Sequence, residues 1–77
     1  MEVKVGIQNV SREVTVDTRA SADEVEQALR DALGHEFGVL VLTDEKGRRV
    51  LVPAGTIAYV DLGSEFARTV GFGALLG

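Results

Sequence analysis

Three stretches of this 77-residue chain, and one scattered set of carboxylates, are the places to look for chemistry. The first is His35 beside Glu36, in "GHEF". An imidazole acts as a general base when a carboxylate orients it and a pocket holds its substrate. A histidine just past a helix is also favoured by the negative helix end with no catalytic role, and that plain reading is preferred. The second is "DEKGRR", residues 44–49. Lys46, Arg48 and Arg49 could grip a phosphate or an acidic partner. Asp44 and Glu45 neutralise most of that charge, so a solvated hairpin tip is the simpler expectation. The third is "GFGALLG", residues 71–77. A phosphate-cradling loop needs Gly-x-x-x-x-Gly-Lys-Ser/Thr between a strand and a helix, and this stretch has no lysine. The fourth comprises the carboxylates Asp17, Asp61 and Glu65, which do not follow the spacing of a metal-binding loop. One histidine and no cysteine cannot build a zinc site alone. No Gly-x-Ser-x-Gly elbow surrounds any serine. The expectation is a protein without catalytic residues, metal or cofactor.

The elements that would position these groups are more legible than the chemistry. Apolar residues at 45% and charged residues at 26% describe a folded chain, and the length allows one small domain with a thin core. Residues 2–8, "EVKVGIQ", and 12–17, "REVTVD", alternate apolar and polar side chains and frame a hairpin turn at "NVS". Val3, Val5, Ile7, Val14 and Val16 take the inner face. Ser21 followed by Glu24 is a capping box opening a helix. Its inner stripe is Val25, Ala28, Leu29, Ala32 and Leu33, and Gly34 is expected to end it in a left-handed conformation. Strands follow at about 37–43, 48–52 and 56–62. Gly47 stands at a turn needing positive φ, and Pro53-Ala54-Gly55 interrupt the pattern.

The order strand, strand, helix, strand, strand, strand predicts an α+β fold of ββαβββ type. It is expected to be β-grasp-like (ubiquitin-like), with one helix on one face of a mixed sheet. Residues 1–63 would form the domain. Residues 64–77 would form a short turn or helix and an apolar, glycine-rich tail.

"VLVLTDEKGRRVLVPAGTIAYV", residues 39–60, does not alternate. If the helix covers Val39, Val41, Ile57 and Tyr59, then Leu40, Leu42, Ala58 and Val60 face outward. Such a contiguous apolar patch marks an interaction surface. The tail, through Phe66, Val70, Phe72, Leu75 and Leu76, could fold back over this patch, or an unidentified protein could pack there; the preferred expectation is a homo-oligomer with sheet and tail residues sharing the interface. The function read from this is a non-catalytic protein-interaction module. The alternative is a ubiquitin-like carrier or nucleotide-handling protein acting through its C-terminus. That chain end, "ALLG", lacks the paired glycine that activation of a carrier requires.

Charge and composition narrow the partners. A net charge of −4, no Trp, one Tyr and three Phe argue against nucleic acid. No apolar run is long enough to cross a membrane. "MEVKVG" lacks the features of a signal peptide, so a cytoplasmic protein is expected.

The blocks "MEVKVGIQNVSREVTVD", "LTDEKGRRVLVPAGTIAYVDLG" and "ARTVGFG" resemble the DUF 3107 family over residues 1 to about 73. The resemblance implies a short actinobacterial protein of unassigned function, with no catalytic residues to carry over. Some members bear the label "ATP-binding protein".

Overall fold

The computed structural model describes residues 1–63. The elements are β1 (Glu2–Ile7), β2 (Glu13–Asp17), α1 (Ala22–Leu33), β3 (Val39–Thr43), β4 (Arg49–Pro53), a single 3₁₀ turn (Ala54–Thr56) and β5 (Ile57–Leu62). The α+β class and the ββαβββ order are those read from the sequence. The strands form two ladders, β2–β1–β5 and β3–β4, and every pairing is antiparallel. The single mixed sheet expected from the element order thus takes the form of two antiparallel ladders among the described residues.

Those ladders share one core. Val3, Val5 and Val16 come from the first, Leu40, Leu42 and Val52 from the second, and Val25 from the helix. The two ladders and the helix thus bury side chains in one common cluster. Leu40 is fully buried and Leu42 is 3% exposed. This reverses the expected phase of β3, which had Val39 and Val41 inward. Both phases of "VLVL" are apolar, so alternation cannot choose between them, and a one-residue shift exchanges the faces. The larger leucines take the core, where they remove more apolar area from water. Pairing Leu40 with Val52 and Leu42 with Val50 sets β4 in the same phase.

Val60 is corrected for a related reason. It pairs with Val5, and Leu62 pairs with Val3, so both pack against the core on the valine face of β1. A bulge between Gly6 and Ile7 shifts the register, so that Ile57 rejoins the core side and Ala58 stands exposed at the irregularity.

The helix opens as read. The Glu24 amide donates to Ser21 Oγ at 3.1 Å, and the Ser21 amide donates to Glu24 Oε1 at 2.8 Å. Val25 and Ala32 are buried, but Leu33 is 61% exposed. The helix ends differently from expectation. Gly34 has φ −79° and is right-handed, whereas Gly47 has the expected positive φ, 86°. The demanding glycine is Gly38. Its position lies against the Ala32 carbonyl, and any Cβ there would overlap helix backbone. That close approach lets β3 start directly beneath the end of the helix.

Candidate functional site

Among the described residues, which exclude 71–77, the groups that could do chemistry are held apart or engaged in the fold. His35 is exposed in the turn after α1, where its amide donates to the Ala32 carbonyl at 3.3 Å. Asp44 organises the "DEKGRR" turn. Its Oδ1 accepts the amides of Lys46 at 2.9 Å and Arg48 at 2.8 Å, and its Oδ2 lies 3.4 Å from the Arg48 guanidinium. The Arg48 amide above all, helped by the Lys46 amide and both cationic side chains, holds the Asp44 carboxyl below its ordinary range. The turn docks on the first ladder through the Glu45 amide, which donates to the Asp17 carbonyl at 3.1 Å. Asp17 pairs across from Glu2, and Asp61 across from Lys4, so these carboxylates stand on opposite flanks of β1. Glu65 lies outside the described residues. Among the described residues no cluster of three His, Asp or Glu side chains could hold a metal ion.

The outer face of the first ladder carries a row that motif reading overlooked. Glu13, Gly6 and Tyr59 are opposite one another on β2, β1 and β5. The Tyr59 ring lies over Gly6, filling the space a side chain would take there. Its hydroxyl reaches the Glu13 carboxylate and donates a hydrogen bond to it. That hydrogen bond, with the negative charges of Glu13 and Asp61, raises the Tyr59 phenol above its ordinary value. The available signal was a glycine in the polar phase of "EVKVGIQ" and the chain's one tyrosine. Joining them requires the β1–β5 register, which no local pattern gives.

The second ladder turns a different face outward. Side chains on a strand alternate, so burying Leu40, Leu42, Val50 and Val52 sends Val39, Val41 and Thr43 of β3 and Arg49, Leu51 and Pro53 of β4 to the other side. Val39 is 43% exposed, Val41 45% and Leu51 61%. Phe37, just before β3, is 87% exposed. A shallow groove between α1 and β3, lined by Ala28, Asp31, His35, Val39 and Val41 among others, continues this face toward the helix. Burying a fully exposed side chain of this kind is worth about 1.5–3 kcal/mol, and roughly half of that remains to be gained at each of these positions, so the face favours a cover.

The non-alternating stretch thus does leave an apolar face, carried by other residues than those first assigned. Leu40 and Leu42 lie in the core, Val60 packs against it, and Ala58 is exposed on the other ladder. Phe66, Val70, Phe72, Leu75 and Leu76 lie outside the described residues. No helix among the described residues is long and apolar enough to cross a membrane.

No curated protein matches this chain. A family model described as a protein of unknown function (DUF3107) matches residues 1–73, nearly the whole length, and the chain belongs to that family.

Proposed function

We propose that the protein is a non-catalytic interaction module that self-associates through the outer face of β3–β4. One observation carries this reading: Val39, Val41 and Leu51 project together from a two-stranded ladder whose opposite face is already in the core. Surfaces of monomeric proteins seldom keep contiguous apolar patches without a binding role. A thin core in a short chain also gains from a partner, because association stabilises the folded state by mass action. The absence of cysteine suits the reducing cytoplasm, the compartment of this reading.

The test is the Leu51→Asp variant of the full chain, compared with the unmodified protein by light scattering across a concentration series. Leu51 is exposed in the protomer, so the variant should fold. The expected outcome is an unmodified chain heavier than a protomer and a monomeric variant. Equal masses for the two proteins at every concentration would refute the reading.

A further inference from the structure

β2 is the outer strand of its ladder, with β1 on one side and no paired strand on the other among the described residues. Its backbone phase follows from the end of the ladder. The Met1 amine donates to the Thr18 carbonyl at 2.7 Å, and the Thr18 amide donates to the Met1 carbonyl at 2.9 Å. Antiparallel pairs alternate between bonded and unbonded, so Val3–Val16 and Val5–Val14 are bonded pairs. The amides and carbonyls of Glu13, Thr15 and Asp17 therefore point away from β1. The Asp17 carbonyl agrees with this phase, because it accepts the Glu45 amide at 3.1 Å. The amide and carbonyl of Thr15 have no hydrogen-bond partner among the described residues.

An open cleft of about 540 Å³ lies beside this edge, between Thr15, Val16 and Asp17 and the 44–48 turn. Glu13 and Asp17 flank Thr15 on the outer face of the ladder, and both are exposed. Glu45, on the turn, is exposed too. Of the two cations lining the cleft, Arg48 is held by Asp44, which leaves Lys46. The Asp17 carboxylate has only the N-terminal ammonium near it, at 3.5 Å.

Independently of the self-association just proposed, we infer that this edge takes an extended segment of another protein as an added antiparallel strand, with Lys or Arg opposite Glu13 and Asp17 and apolar residues between them. An unpaired edge is a template for a further strand. The backbone supplies affinity in such strand addition, and alternate side chains supply selectivity. Directly opposite charges stabilise a cross-strand pair and like charges destabilise it. The register that overlaps β2 of two copies completely sets Glu13 of each on Asp17 of the other. The same carboxylates that guard the edge against its own copy thus select a basic strand. Residues between the cations would stand beside Val14 and Val16, which pack in and against the core.

The experiment measures fluorescence anisotropy of a labelled peptide of alternating Lys and Val, mixed with the full chain. A twin peptide of alternating Glu and Val should bind about tenfold more weakly or worse, since both carboxylate pairs are reversed. Thr15→Pro removes an outward amide and leaves the β1–β2 bonds in place, as proline is tolerated on an edge strand. That variant should lose the Lys–Val peptide, while its thermal melt reports that it folds. Because its carboxylates are intact, the loss separates strand pairing from general attraction between opposite charges. Hydrogen exchange at the Thr15 amide of the unmodified chain gives a readout that needs no variant, and the Lys–Val peptide should slow it. Equal affinity for the two peptides, full binding by folded Thr15→Pro, or exchange that the peptide leaves unchanged overturns the inference. A Thr15 amide that is already slow without peptide means an edge paired by residues 64–77 or by a second copy, and overturns it too.

Discussion

The outer faces of the two ladders look away from the same core, yet they are built by different rules. On β2–β1–β5 the outward positions are Glu2, Lys4, Gly6, Glu13, Thr15, Asp17, Tyr59 and Asp61. Lys4 stands opposite Asp61 in the register, and the single large apolar ring, Tyr59, is laid over a glycine with its hydroxyl on a carboxylate. That face is completed within the protomer. On β3–β4 the outward positions are mostly aliphatic, with the one charge, Arg49, at the turn end. The contrast teaches that alternation is a report on solvent. Where one side of a strand is wet, polar residues mark it. Where both sides are apolar, the chain expects contact on both.

The largest expected effect breaks the comparison from inside. Leu40→Ala removes a fully buried side chain shared by both ladders and should cost about 2–5 kcal/mol. Its neighbour Val41, on the outward face, should cost less than about 1 kcal/mol when truncated to alanine. Urea unfolding of dilute samples checks both. Equal losses would mean that the two phases of β3 are buried alike in the protomer.

The next effect sharpens the contrast on the polar ladder. Gly6→Val places a branched side chain where the Tyr59 ring lies, so the ring must leave the sheet. A destabilisation of about 1 kcal/mol is expected, together with loss of the Tyr59–Glu13 hydrogen bond. The smallest effect is read by titration, which the presence of one tyrosine makes unambiguous. The phenol is raised on folding, so its stabilising contribution is complete below the unfolded tyrosine value of about 10. It is lost as pH climbs through the higher folded value. Phenolate absorbance should therefore appear later than in the unfolded chain, and Glu13→Gln should bring it earlier. A midpoint that ignores both Gly6→Val and Glu13→Gln would dissolve the Glu13–Gly6–Tyr59 row.

Much of this fold was legible because it rests on local signals. The Ser21–Glu24 capping box, the alternation of β1 and β2, and Gly47 at its turn each name their own structure. What escaped depends on partners distant in sequence. The phase of β3 follows from its pairing with β4 and from which side chains best fill the core. Gly34 looked like the helix stop, yet the close approach that only glycine permits is at Gly38, visible once β3 lies beneath the helix end. The candidate surface was legible as a property of the segment, a strand pair with no polar phase. Its residues were not, because Leu40 and Val41 are equally apolar letters until the core chooses between them.

The most direct measurement compares the two outer faces by thiol labelling, since the chain has no cysteine of its own. Leu51→Cys and Thr15→Cys place one thiol on each face, and both react with a water-soluble maleimide in dilute and concentrated solutions. The expected result is that Thr15→Cys labels quickly throughout, whereas Leu51→Cys is protected when concentrated and becomes reactive on dilution. Labelling of Leu51→Cys at a rate independent of protein concentration would contradict self-association through the β3–β4 face.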